Sequence, residues 1–364
     1  MKKTLIATAF LGAFAASAFA VPSVSLYGRI DTGLLYQHVN PDAPGKDSVD
    51  TVSMESGWNT GSRWGLKGGE DIGNVRVGFV LESGFASDAG TSSQGSRLFG
   101  RQATVEVSGA YGTLYAGRLG SINSDIGTIG LLGSVSPLGS SFSALGTHNS
   151  SGHLWTRYDN TLAYVSPSIA GLKAEAMYSF KGNTKDTYGV EGKSSADRYA
   201  AAGLNYNNGA LDLVLTGDYT MWGNAEHPGL DDGWSVVLGG NYNFGFLTAY
   251  AKATYFDNQL ITDDSDLNFF GLISIPVKGW GVSASVKAPL CGGSAMAEVG
   301  YRDAKNVDDS SDKFQRLYAT VGYSYSFSKR TSVYAVGGYT QEKAKKLDRT
   351  PNAALVGGGL VHKF

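Results

Sequence analysis

Apolar and polar residues alternate with a period of two along most of this chain, beginning near Ser23. Val24, Leu26, Ile30, Leu34 and Tyr36 fall on one face, and Tyr27, Arg29, Asp31 and Leu35 on the other. Successive side chains of a β-strand point to opposite faces, so this pattern predicts a strand with one apolar face and one mixed, charged face. Trp64 and Leu66 then oppose Arg63 and Lys67; Val75, Val77, Phe79 and Leu81 alternate with Arg76 and Glu82. Ala103, Val105 and Val107 alternate with Gln102, Thr104 and Glu106, and farther on Leu172, Ala174, Ala176 and Tyr178 oppose Lys173 and Glu175. Tight turns around Gly73, Tyr111, Gly209 and Gly245 alternate with long polar connections such as 38–54, 181–196 and 223–233.

A soluble β-sandwich buries one face of each sheet and wets the other. Short turns at one end and long loops at the other, with an apolar face opposite a polar one, instead fit an up-and-down barrel whose apolar face meets lipid. The chain is therefore read as all-β, a transmembrane antiparallel β-barrel. Counting forward gives eleven strands to about Asp257, and counting back from Phe364 gives five to about Gly281. Leu267 to Val277 offers one more, but bacterial single-chain barrels have an even number of strands. Sixteen is the expectation, with 258–280 contributing no separate strand. Aromatics near strand ends, among them Tyr27, Tyr36, Tyr178, Tyr219, Tyr242 and Phe327, suit interfacial girdles.

The rhythm stops once, from Leu119 to Gly152. Sixteen of these thirty-four residues are Gly or Ser, and Asp125 is the only carboxylate, yet Ile122, Ile126, Ile129, Leu131, Leu132, Val135, Leu138, Phe142 and Leu145 also lie here. Such a segment is too apolar for a free loop and too long for an ordinary connection. Two arrangements bury it: folded into the bore of a wide barrel, or packed along a rim. Ile122, Ile126 and Ile129 stand at i, i+4 and i+7, the spacing of a short helix.

Composition narrows the class. Lys2 and Lys3, the apolar run from Leu5 to Phe14 and Ala18-Phe19-Ala20 form a secretory signal pattern with cleavage before Val21. The run is shorter than the roughly 20 residues a membrane helix needs, and no later segment reaches that length. The domain reading is thus a signal peptide at 1–20 and one barrel at 21–364. A formal net charge of −2 gives no reason to expect nucleic acid as a partner. Cys291 is the single cysteine, so stability rests on hydrogen bonding and packing rather than disulfides.

No catalytic set emerges. His148 and His153 lie among serines without a spaced nucleophile, base and orienting acid, and read as solvated loop histidines. Asp263-Asp264-Ser265-Asp266 and the stretch from Asn306 to Asp312 read as acidic external loops rather than dedicated cation sites. The charged residues with the strongest pattern are Arg29, Arg63, Lys67 and Arg157, on the face that a barrel turns to its lumen. Rings of Arg and Lys favour anions in pores.

Several pieces in order along the chain carry a resemblance: Ser25-Leu26-Tyr27-Gly28-Arg29-Ile30-Asp31, Ser62-Arg63-Trp64-Gly65-Leu66-Lys67-Gly68-Gly69-Glu70-Asp71, Arg101-Gln102-Ala103-Thr104-Val105, Gly117-Arg118, Arg157-Tyr158-Asp159-Asn160-Thr161-Leu162-Ala163-Tyr164, and a terminal Phe364. Together these resemble the general diffusion porins of beta-proteobacterial and neisserial type. The resemblance implies a homotrimer of sixteen-stranded barrels in a Gram-negative outer membrane, passing small hydrophilic solutes and ions without a cofactor. It implies that the third external loop, here 119–152, folds inward as a constriction. It places an inward basic cluster on Arg63 and Arg157, with Arg29 and Lys67 as neighbours and Glu82 and Asp125 as acidic partners. Gln102 stands where some relatives carry a further basic residue, and the loop has few carboxylates, so the expectation is a modest anion preference. Phe364 resembles the assembly signal read by the barrel assembly machinery; lipid and lipopolysaccharide are the expected surroundings. The competing readings are a barrel used mainly for adhesion and, without a catalytic set, a barrel hydrolase.

Overall fold

A computed structural model describes residues 23–153, 155–261, 266–273 and 275–364. The expected signal peptide and most of the acidic stretch at 263–266 lie outside the described residues. Seventeen strands run in order: β1 (Ser23–Asn40), β2 (Val49–Ser56), β3 (Arg63–Ile72), β4 (Val75–Gly84), β5 (Gln102–Gly109), β6 (Gly112–Gly120), β7 (Arg157–Val165), β8 (Leu172–Ser179) and β9 (Arg198–Asn207). They continue as β10 (Leu211–Met221), β11 (Gly233–Asn243), β12 (Thr248–Leu260), β13 (Pro276–Leu290), β14 (Gly293–Asn306), β15 (Lys313–Ser326), β16 (Thr331–Ala344) and β17 (Asn352–Lys363).

The sheet is antiparallel and closed, with β17 paired to β1 from Arg29↔Lys363 to Asn40↔Asn352. On its other edge β1 pairs with β2 at Thr32–Val39 and with β3 at Ser23–Arg29. β2 and β3 therefore occupy one position in the wall, and the barrel has sixteen. Between them the chain turns at Gly57, whose φ of +75° suits glycine, and the Gly57 N–H donates to the Asp31 carbonyl at 3.0 Å. Closure matters because backbone groups in a bilayer have no water to bond, so an open sheet edge cannot face lipid.

The two faces separate as the pattern requires. On β10, Leu213, Leu215 and Tyr219 are exposed while Val214, Thr216, Asp218 and Thr220 are buried. On β1, Val24, Leu26, Ile30, Leu34 and Tyr36 are exposed and Asp31 and Leu35 are buried. Connections at 73–74, 110–111, 208–210, 244–247 and 291–292 are short, and those at 85–101, 121–156, 180–197, 222–232 and 261–275 are long. In an antiparallel barrel these two sets lie at opposite ends. The extra strand considered between Leu267 and Val277 does not form: Asp266–Asn268 is a 3₁₀ turn and β13 begins at Pro276.

The long segment 121–156 is built from bends and three 3₁₀ turns, Leu132–Ser134, Ser143–Leu145 and Thr147–Ser150. The short helix expected over Ile122 to Ile129 is absent. Leu131 N–H donates to Ile122 O at 3.0 Å and Leu132 N–H to Ser124 O at 2.8 Å, which closes a loop instead of a helical turn. Gly120 and Gly130 permit this crossing, since a Cβ on either would stand 2.3 or 2.8 Å from Ile126 O.

Apolar side chains seat the segment on distant strands. Ile122, Ile129, Leu132 and Val135 cluster with Met177, Tyr199, Val214 and Val237 of β8 to β11. Leu138, Phe142 and Leu145 cluster with Leu35, Tyr334 and Leu355 of β1, β16 and β17, and with Trp58.

Candidate functional site

The covered face of β1 to β7 gathers arginines around one carboxylate. Arg29 and Arg63 are ladder partners across β1 and β3, and Glu82 of β4 lies opposite Gly65 and Gln102. Glu82 takes Arg101 Nε at 2.8 Å, Arg63 NH1 at 3.7 Å and the Tyr27 hydroxyl at 3.0 Å. Arg63 Nε also donates to Gly61 O at 2.8 Å, and both Arg29 and Arg63 reach Thr60 Oγ1, at 3.2 and 3.3 Å. Gly61 leaves room for Arg101, whose NH1 would stand 2.9 Å from a Cβ there. Arg157, at the start of β7, stands within electrostatic range of Arg63, Arg101 and Arg118. Glu82 thus holds Arg63 and Arg101 directly and attracts Arg157, with Arg29 beside Arg63 on the next strand. Asp31 does not balance them freely, since it accepts from Asn59 N at 2.9 Å, Thr60 N at 2.7 Å and the Tyr334 hydroxyl at 3.0 Å.

Arg157 also lines a cavity of 560 Å³, together with Arg97, Arg118, Lys185 and Arg198, and with Asp197 and Asp218. Asp159 fixes its basic wall, taking Arg118 NH1 at 2.6 Å and Arg97 NH2 at 2.8 Å.

Polar bonds hold 121–156 to the covered faces of strands all round the barrel. Asn123 donates to Asp218 and Ser235 at 3.0 and 2.8 Å and accepts from Thr216 at 2.6 Å. Asn241 reaches Ser134 O at 2.8 Å, Lys252 Nζ reaches Thr147 O at 2.7 Å, and Thr320 reaches Leu145 O at 2.8 Å. Ser136 donates to Glu298. Thr128 donates to Gln102 Oε1 at 2.7 Å.

The residues expected from sequence are thus unequally placed. Arg29, Arg63, Glu82 and Arg157 come together. Gln102 is buried and holds the long segment to β5. Asp125 turns into its own segment, accepting from Ser140 N at 2.7 Å and Ser140 Oγ at 2.6 Å. Lys67 is exposed, its ammonium 5.3 Å over the Tyr27 ring, and has no contact with Glu82. Phe364 closes the seam by exchanging backbone bonds with Gly28, each 3.1 Å. Arg101 was not singled out because it precedes β5, where strand parity gives no orientation. Lys252, Glu298, Arg302, Arg316 and Glu342 also escaped, although each follows its strand's alternation onto the covered face.

The two histidines are not solvated: His148 is 6 % and His153 1 % exposed. The segment carrying them packs on the wall, and Trp155 Nε1–H donates to His153 Nε2 at 2.8 Å, a bond that needs the neutral ring. Burial holds the imidazole down at about 4, outweighing the upward pull of Asp218. An unfolded histidine titrates near 6.5, so between about 6.5 and 4 the unfolded chain binds a proton that the folded chain refuses. Stability therefore falls as pH falls through that window. The thermal unfolding midpoint is expected to drop between about pH 7.5 and about pH 5 by more in the wild type than in His153→Gln; equal drops would show that His153 is not the group responsible.

Sequence comparison decides the family, because the profile described as Gram-negative porin matches residues 7–345. The chain belongs to the Gram-negative porin family. An outer membrane porin protein of Bordetella pertussis is 36 % identical over 397 residues, covering all of both chains. Outer membrane porin protein 32 of Delftia acidovorans is 30 % identical and covers 98 % of this porin and 95 % of that one. Among solved structures, one described as an anion-selective porin from Comamonas acidovorans shares the fold with a TM-score of 0.69 at 24 % identity, covering 94 % of this chain and 100 % of that one. A trimer form of OmpT from Vibrio cholerae has a TM-score of 0.61 at 14 % identity, covering 94 % of this porin and 99 % of OmpT. This porin is a passive diffusion channel of the outer membrane.

Proposed function

We propose that 121–156 lies across the bore of this porin as its constriction, and that Arg29, Arg63, Arg101 and Arg157 beside it give a modest preference for small anions. The observation that carries this reading is the gathering of Arg63, Arg101 and Arg157 about Glu82, with Arg29 beside Arg63, while Asp125, the segment's carboxylate, is engaged by Ser140. Within a Debye length of about 8 Å such an excess is felt by any ion passing a narrowed pore. Contacts of one segment with β5, β8, β10, β11, β14 and β15 support its place inside a closed ring. Three copies form the working assembly, in keeping with the trimer form of OmpT, and the exposed apolar faces meet lipid and lipopolysaccharide. Residues 1–20 direct export, and Phe364 serves as the assembly signal.

Planar bilayers test the whole reading. Purified protein is expected to insert in conductance steps that close in thirds, with a reversal potential under a KCl gradient that favours chloride. A wild type clearly selective for potassium would overturn the assignment of the arginines, and steps without thirds would overturn the trimer.

A further inference from the structure

Most of the described residues of the connection between β12 and β13 are covered where an external loop would be wet. Ile261, Leu267, Asn268 and Ile273 are each at most 3 % exposed. Ile261, Leu267 and Ile273 form one apolar cluster with Phe256, Ala304, Phe314 and Ala344 of β12, β14, β15 and β16. Phe269 and Phe270 pack instead on the cluster that holds Leu138, Phe142 and Leu145 of the long segment. The turn Asp266–Asn268 lies against the turns Ser143–Leu145 and Thr147–Ser150. Two connections that are separate in sequence therefore share one packed boundary.

Two arginines fasten that boundary. Arg302 of β14 and Arg316 of β15 are ladder partners, and both are fully buried. Both donate to the same carbonyl, Leu267 O, at 3.3 and 3.2 Å. Arg302 also donates to Ser151 O of the long segment at 3.3 Å. Glu342 of β16 pairs with Arg302 and lies 3.9 Å from Arg316, whose guanidinium also stands 5.9 Å from the Phe270 ring centre. Two buried cations share one carboxylate, so each needs further acceptors, and breaking such a set leaves an uncompensated charge that is strongly destabilising. The acceptors recruited are carbonyls of the two connections. Asn268 completes the seat within its own turn, taking Ile273 N at 2.8 Å.

We propose that residues 266–273, between β12 and β13, are a second constricting element, and that Arg302, Arg316 and Glu342 lock them to the first so that the two set the bore as a unit. This rests on the reading of 121–156 as a constriction. Arg302 and Arg316 are positioning residues: they are sealed from the solute path and act through the carbonyls they hold. The ion preference stays with the arginines around Glu82 on the opposite part of the wall, so area and selectivity are set by different residues.

Two changes to the full-length porin in planar bilayers test this. Arg302→Met/Arg316→Met/Glu342→Met replaces the clamp with apolar side chains of similar volume, a change that buried ionic sets tolerate. Its single-channel conductance is expected to rise about twofold with greater open-channel noise, as the narrowest cross-section widens, while the chloride-to-potassium ratio holds. Arg302→Lys/Arg316→Lys keeps the charges without the guanidinium fork that spans Leu267 O, Ser151 O and Glu342, and is expected to conduct between wild type and the methionine variant. The second change is Gly271→Cys in a Cys291→Ser chain, at an exposed position with open space around the glycine and a φ of +63° that a cysteine adopts with some strain. A negatively charged thiosulfonate reagent applied to the open channel is expected to cut its conductance by about half, as an added charge and bulk at the constriction would. Should the methionine variant yield no folded trimer, the cysteine variant decides alone. An unchanged conductance after complete modification overturns the second element while leaving the first in place. The constriction reading of 121–156 fails separately, if wild-type protein shows no selectivity that depends on the arginines around Glu82.

Discussion

Arg63→Ser/Arg101→Ser/Arg157→Ser is expected to abolish the chloride preference of the reconstituted porin and to raise its conductance. A unit charge about 8 Å from a passing ion in water contributes about 0.5 kcal/mol, close to a twofold change in local ion concentration. Three such charges acting together move the permeability ratio by about tenfold, enough to carry a modest anion preference to neutrality or beyond. Glu82 would then stand with Arg29 as the nearest remaining cation. The loss of three long side chains also opens space around Gly61, whose close approach to Arg101 NH1 marks how full that region is. Reversal potentials across a KCl gradient read the first effect and single-channel steps the second. An unchanged permeability ratio would transfer selectivity to Arg97 and Arg118, on the wall of the cavity that Arg157 also lines.

Deleting Phe364 is expected to cut the yield of folded trimer severely while leaving export intact. Phe364 N–H donates to Gly28 O and its carbonyl accepts from Gly28 N–H, both at 3.1 Å, at the seam where the last strand meets the first. The deletion removes both bonds from an edge that has no water to substitute for them. Its ring is also tightly matched to the wall, since a Cβ at Gly28 would meet it at 2.4 Å. Phe364→Ala keeps the backbone bonds and separates the two contributions. Heat-modifiable electrophoretic mobility and trimer yield check the result; values equal to wild type in the deletion would remove Phe364 from assembly.

Most of the barrel was legible because period two is a direct record of which face meets what. The same parity that exposes Leu213 and Leu215 buries Thr216 and Asp218. Even the difficult count resolves, since the break between β2 and β3 leaves one wall position and the stretch after Leu260 supplies none. Legibility fails where side chains stop alternating. Arg101 sits one residue before β5, and nothing in its neighbourhood orients it toward Glu82. Ile122, Ile126 and Ile129 carry helical spacing, but Gly120 and Gly130 on either side of them allow the backbone to cross itself. Asp125 looked available to the bore, whereas Ser140, fifteen residues on, engages both its oxygens. The histidines misled for a related reason: a segment rich in serine reads as wet, and only its contacts with β10 to β14 make it dry.

Those contacts also constrain the order in which the protein can be made. Ser136 meets Glu298 and Leu145 meets Thr320, partners separated by 162 and 175 residues. Until β14 to β17 are in place, Ser136, Leu138, Phe142 and Leu145 lack their partners on those strands, although Ile122, Ile129, Leu132 and Val135 already have theirs on β8 to β11. Contacts this distant in sequence carry a loop-closure cost that is met only when the late strands arrive, and chains dominated by such contacts fold slowly. Docking of the segment and joining of β17 to β1 are thus parts of one late, cooperative event. A barrel stalled before that point leaves Leu138, Phe142 and Leu145 without their partners on β16 and β17, the kind of exposed apolar surface that favours aggregation.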